Sequence, residues 1–263
     1  MVLNKSKKGQ VTVFIIIAVV IVGLLILFFA FTDSGRGIVN RVFGIEYDVN
    51  SNLKNCIEKN PQIKNSIDVI LSQGGSANPE HAYMHDGKKL EYLCYTNEYY
   101  KTCTMQKPLL LQGIEKEAKD AVKDEIIGCI NQVEKELKAS GYSVASGNIN
   151  FTLEFVPSEI KFIIDYPITI SRSETSARFD SPFEVSVKSN YYDLIMISTS
   201  ILNYEARFGN SDPVVYMAMY PNIRVEMLKQ GDGSTLYYVS DRDSKESFNF
   251  AVKSLVFPVG YGY

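Results

Sequence analysis

Residues 149–170 read INFTLEFVPSEIKFIIDYPITI, and their period decides the fold class. Ile149, Phe151, Leu153 and Phe155 alternate with other residues, Pro157-Ser158 makes a turn, and Ile160, Phe162 and Ile164 resume an alternation that runs through Ile170. Residues two apart share one face of a strand, so this stretch predicts a hairpin with one buried face. The residues before it keep a different period. Pro108 opens a helix whose stripe includes Leu110, Ile114, Ala118, Val122, Ile126, Cys129, Val133 and Leu137 and which ends at Gly141. Its other face alternates Lys and Glu, an ordinary solvated surface. A period that switches from 3.6 to two near residue 145 makes the chain α+β.

The same periods extend both ways. Val49, Leu53, Cys56 and Ile57 have helical spacing, Asn60-Pro61 supplies a cap and a first helical position, and Ile63, Ile67, Ile70 and Leu71 continue until Gly74-Gly75. Residues 76–107 read as loop and short strands rich in tyrosine. Further on, a strand is expected near Phe183, Val185 and Val187, and a helix over about residues 191–208. Two strands, near 223–228 and 236–239, flank the turn Gly231-Asp232-Gly233-Ser234, and a last strand runs from Phe248 to Phe257. The body thus divides into a helical portion (46–141) and an antiparallel, sheet-rich portion (145–263) with one helix.

Residues 11–31, VTVFIIIAVVIVGLLILFFAF, carry no charge. A helix of that length reaches across a hydrocarbon core of roughly 30 Å, so a transmembrane helix is expected there. A cleaved secretory peptide would need a shorter apolar run and a small-residue cleavage site, whereas Phe28, Phe29 and Phe31 crowd the far end. Lys5, Lys7 and Lys8 precede the run and charges of balanced sign follow it, which puts residues 1–10 in the cytoplasm and the body outside, beyond a glycine-bearing connector over 32–45. The lipid bilayer is then a partner. The formal net charge is −3; without the three lysines, 24 basic and 30 acidic residues remain, about −6. An acidic body has no basic stripe for phosphates, and no nucleic-acid partner is expected.

Lys7-Lys8-Gly9-Gln10 before the apolar run resembles an archaeal class III, prepilin-like signal. The resemblance implies cleavage between Gly9 and Gln10, after which the apolar helix packs as a filament stem. Pilins usually carry Glu at the fifth mature position; here it is Phe14.

The four cysteines, Cys56, Cys94, Cys103 and Cys129, all follow the apolar run, and an even count outside the cytoplasm reads first as two disulfides. The stretch CYTNEYYKTC predicts two short strands around a turn over Asn97 to Tyr100, setting Cys94 opposite Cys103. Cys56 and Cys129, each on the apolar face of an expected helix, are left to join each other. A zinc site usually shows CxxC knuckles, and the chain has none.

Little else suggests chemistry. His81 and His85 are the only histidines; Asn78-Pro79 and Gly87 around them indicate a loop, and no glutamate follows His81 as a base. Residues 241–246, DRDSKE, lack the glycine and length of a calcium loop and read as a strand connection. Neither a metal nor a cofactor is expected, and no catalytic residue stands out. Asn150-Phe151-Thr152 forms an N-glycosylation acceptor.

The order of elements carries a second resemblance. The anchor opened by Gly9-Gln10, the helix with Cys56 followed by Gln73-Gly74-Gly75, the tyrosine-bearing loop, the long helix with Cys129, and the strands ending in Tyr166-Pro167-Ile168-Thr169-Ile170 together resemble an uncharacterised family of single-pass anchored surface proteins from small-genomed archaea. The resemblance covers most of residues 5–170 and supports joining Cys56 to Cys129. The family has no established activity to carry over; the function expected of the chain as a whole is that of a membrane-anchored extracellular surface protein, non-enzymatic, that binds envelope proteins or another cell surface or builds the envelope. A pilin-like filament subunit and an anchored enzyme with an unrecognised site are the alternatives.

Overall fold

A computed structural model describes residues 48–173, 175–180 and 182–256, together with residue 17 and residues 19–22. Two short helices come first. Asp48 caps α1 (Val49–Lys59) by accepting from the Ser51 amide at 3.2 Å. Asn60 ends α1 and caps α2 (Pro61–Ser72), accepting from the Gln62 amide at 3.0 Å with Pro61 in the first turn, where a missing N–H costs nothing. Gly74 and Gly75 then turn the chain with φ near +92° and +91°. The strands β1 (Ala82–His85) and β2 (Lys88–Tyr95) follow as a hairpin whose turn, Asp86-Gly87, has positive φ at both positions.

After β3 (Thr104–Met105) come α3 (Leu110–Ala121) and α4 (Lys123–Ala139), then β4 (Ser143–Ser146), β5 (Asn150–Val156) and β6 (Glu159–Asp165). The chain continues through β7 (Ile168–Arg172), β8 (Thr175–Phe179), β9 (Phe183–Lys188), α5 (Tyr191–Phe208) and α6 (Pro213–Met219), and closes with β10 (Ile223–Lys229), β11 (Ser234–Asp241) and β12 (Ser247–Lys253). The largest sheet has the order β1-β2-β12-β11-β10, with β3 on β2; two three-stranded sheets have the orders β4-β7-β8 and β5-β6-β9. Their inner faces and the helices bury one continuous apolar cluster that runs from Val49 to Val252.

The α+β class stands, and four expectations are corrected. The first is the transmembrane helix over 11–31. Among the described residues no helix is long and apolar enough to cross a membrane. Of that stretch only residues 17 and 19–22 are described, helical and exposed. The other residues of the run, with Gly9, Gln10, Phe14 and the connector over 32–45, lie outside the described residues.

Second, the sheet-rich portion is not wholly antiparallel and holds two helices, not one. β12 runs parallel to β2, a strand of the earlier portion, and a parallel pair so far apart in sequence leaves no local pattern. Third, the long helix is divided at Val122. Its first half packs on α2, β5 and α5, its second chiefly on α1 and β4.

Fourth, the alternation through Ile170 is two strands in two sheets, separated at Tyr166-Pro167, since proline cannot donate to a ladder. The last strand likewise ends at Lys253 rather than Phe257, which lies outside the described residues.

Candidate functional site

Cys56 and Cys129 are bonded and tie α1 to α4; Cys94 and Cys103 are bonded at the end of β2. Free cysteines are absent. The two strands expected around Asn97 to Tyr100 form, as β2 and β3 in antiparallel pairing, but across a longer loop and in another register. Cys94 pairs in register with Met105, not Cys103, because the intervening loop spends its backbone on the chain beyond β12. The Thr96 amide donates to the Lys253 carbonyl at 3.0 Å, the Tyr100 amide to Leu255 at 2.6 Å, and the Leu255 amide to Lys101 at 3.0 Å.

The structure puts only one of the two histidines in a strand; His81 stands in the bend just before β1. His85 ends β1, and His81 packs its ring against Tyr92 and Tyr95 at 4.8 and 4.3 Å. Among the described residues no group of three or more His, Cys, Asp or Glu is placed to hold a metal ion. Residues 241–246 connect β11 to β12: Asp241 Oδ1 accepts from the amides of Asp243 and Ser244 at 2.9 and 2.6 Å, so its lone pairs serve the turn. These bonds outweigh the opposing effect of burial and hold the Asp241 carboxyl below its ordinary pKa. Asn150 is exposed at the start of β5, an edge strand, where its side chain accepts from the Phe151 amide at 2.9 Å.

A concavity lies elsewhere, between α5 and α6, with a volume of about 1030 Å³. Helix α5 carries two apolar stripes. Leu194, Ile195, Ser198, Ile201, Leu202 and Glu205 are buried inside, while Met196, Ser200, Tyr204 and Phe208 look onto the groove at intervals of four. Tyr204 and Phe208 are 52% and 53% exposed, too much for core residues. Asp212 opens α6 by accepting from the Val214 amide at 2.9 Å, and Val215, Tyr216 and Met219 form the opposite wall. Helix α6 packs chiefly on β10, so the two helices stand apart; Tyr216 and Ser200 bridge their hydroxyls at 3.2 Å.

The turn between the helices is fixed from beneath. Gly209 ends α5 at φ +76°, and a Cβ there would run into Val256 Cγ2. Buried Glu205 accepts from the Ser211 amide at 3.1 Å and from the Tyr237 hydroxyl. Burial pushes its carboxyl above the ordinary pKa, against the opposing pull of those two hydrogen bonds and of the Lys229 charge.

No family model, curated protein or solved structure matches this chain. The groove must therefore be interpreted from its own chemistry. Among the described residues its lining includes three carboxylates, Asp193, Asp212 and Asp241, and no lysine, arginine or histidine. Asp241 and Asn190 are joined at 3.2 Å at the end where α5 begins, and Asp193 follows one turn along. At the other end Arg207 lies over the Phe208 ring at 5.2 Å from its centroid.

Sequence reasoning had no site here. Its signals were an α5 apolar on two sides and the run Pro213-Val-Val-Tyr-Met-Ala-Met behind Asp212, a capped helix opened by proline.

Proposed function

We propose that this chain is a non-enzymatic recognition protein of the cell exterior and that it works through the α5–α6 groove. The observation that carries the reading is the groove itself: a concavity walled by exposed Met, Tyr, Phe and Val side chains on two capped helices over a packed sheet. Concave, mostly apolar surfaces with a few polar groups are the usual form of ligand sites, and large exposed apolar patches mark places of association. Two disulfides are in keeping with an oxidising compartment, where such bonds persist. The family resemblance to archaeal surface proteins belongs to the same proposal. A pilin-like subunit is the competing one, and it requires the chain in sheared filaments with Gln10 as first residue.

The test is an environment-sensitive apolar dye titrated into the full chain. One saturable site is expected, lost in Phe208→Asp and kept in Leu228→Asp, since Leu228 is exposed on β10 and does not line the groove. Dye binding that survives Phe208→Asp defeats the reading.

A further inference from the structure

We propose that the groove takes an amphipathic α-helix from a partner protein, apolar along one stripe and basic at the end that meets Asp193 and Asp241. This rests on reading the groove as the recognition surface. Shape is the first argument. Met196, Ser200, Tyr204 and Phe208 form a ridge at intervals of four, and Asp212, Val215, Tyr216 and Met219 form a second ridge across the gap. Helices associate by seating ridges of this kind in grooves, and an amphipathic helix does so with anchors at i, i+3, i+4 and i+7. The 18 residues of α5 and the seven of α6 rise about 27 and 10 Å, so an incoming helix meets both walls over about two turns. The methionines suit the role, because an unbranched thioether adapts to irregular partners.

Charge fixes the partner's sign and direction. The three carboxylates of the lining have no cation among the lining residues. Asp193 is exposed and makes no hydrogen bond or ion pair among the described residues. At the opposite end Arg207 lies over Phe208, and the carboxylate there, Asp212, is taken up in capping α6. A helix with lysines or arginines in one terminal turn therefore docks with that turn at Asp193. Complementary charge sets register and excludes wrong partners, including here a second copy of this chain, whose body carries about −6.

The experiment titrates three labelled peptides of some five turns into the full chain by fluorescence anisotropy. One has an i, i+3, i+4, i+7 leucine stripe and lysines in one terminal turn. Its twin has glutamates there, and the third has the lysine peptide's composition with the stripe scrambled. Saturable binding is expected for the lysine peptide, weaker by about tenfold or more for the other two. Asp193→Lys should reverse the preference between the first two; its side chain is exposed, so the fold is not at stake.

Equal binding of the lysine and glutamate peptides overturns the basic partner while leaving the groove reading intact. If neither peptide binds but the dye site is present, the helical occupant is wrong. Self-association that Met219→Asp abolishes would install a second copy instead. Loss of the dye result alone points to failure of the underlying reading.

Discussion

Tyr237, inside the largest sheet, donates its hydroxyl hydrogen to Oε1 of Glu205 in the last turn of α5. The same carboxylate oxygen accepts from the Ser211 amide at 3.1 Å, so one buried group joins sheet, helix end and the loop leading into α6. The Tyr237 ring stacks on Phe250 with centroids 5.2 Å apart, which fixes the donor from below. The groove wall is held by a polar contact in an otherwise apolar place, where an unmade bond is costly.

The pH dependence of Glu205 follows from this. Burial raises its carboxyl pKa. A group raised in the folded state contributes stability that is complete below its unfolded value and is lost as pH rises through the folded value. Glu205→Gln keeps an acceptor for Tyr237 without that titration. Thermal melts from about pH 4 to about pH 8 should show the wild type losing ground against the variant as pH rises above the ordinary carboxylate range. A constant difference across that range would remove Glu205 as the titrating group.

The disulfides should differ in what they contribute. Cys56 and Cys129 are 73 residues apart and Cys94 and Cys103 only nine. On the chain-entropy account the longer closure is worth about 4 kcal/mol and the shorter about 3. Replacing Cys56 and Cys129 together by serine should lower Tm more than replacing Cys94 and Cys103. The reverse order would mean that the shorter bridge acts on the native loop at residues 96–103, which is held against residues 253–255.

Legibility in the sequence followed locality. The helices α1, α2 and α5 show as stripes because each puts one face on the core, and β5 and β6 show as alternation for the same reason. The hairpin at Asp86-Gly87 also had its signal, a dipeptide that accepts positive φ at both positions, but Gly87 taken with Asn78-Pro79 reads as a loop instead. Pairing of β2 with β12 depends on segments roughly 150 residues apart, and it redirected the loop after Cys94 into contacts no local pattern contains. The groove escaped because Met196, Tyr204 and Phe208 are apolar residues left outside, and hydropathy alone takes such residues for core.

Two glycines give opposite expectations for the same substitution. Gly75 has φ +91°, and a Cβ there would lie 2.5 Å from Ile114 Cγ1. Gly75→Ala should cost about 2–4 kcal/mol through backbone strain and displacement of a buried side chain. Gly128 lies within α4 with open space where a Cβ would go. Gly128→Ala should stabilise by about 0.5–1 kcal/mol by removing chain freedom from the unfolded state. Denaturant midpoints of the two variants check both signs; destabilisation by Gly128→Ala would mean that this face of α4 is covered.

Tyr166 marks the step at which one alternating stretch becomes strands of two sheets, and its hydroxyl donates to Oε1 of Glu134 on α4. Ser146 donates to the same oxygen at 2.8 Å and Lys138 to Oε2 at 3.0 Å. Burial works against the Glu134 carboxylate, but these bonds prevail and hold its pKa below the ordinary value. A lowered carboxyl contributes stability above its unfolded pKa and loses it as pH falls through the folded one. Tyr166→Phe removes one bond to a charged acceptor and should cost about 1.5–3 kcal/mol at neutral pH. The gap from wild type should narrow on acidification as Glu134 becomes protonated in both proteins. In a Glu134→Gln background the same substitution should cost less at neutral pH and show no such narrowing. A gap that stays the same at every pH and in both backgrounds would mean that Tyr166 acts through its ring packing alone.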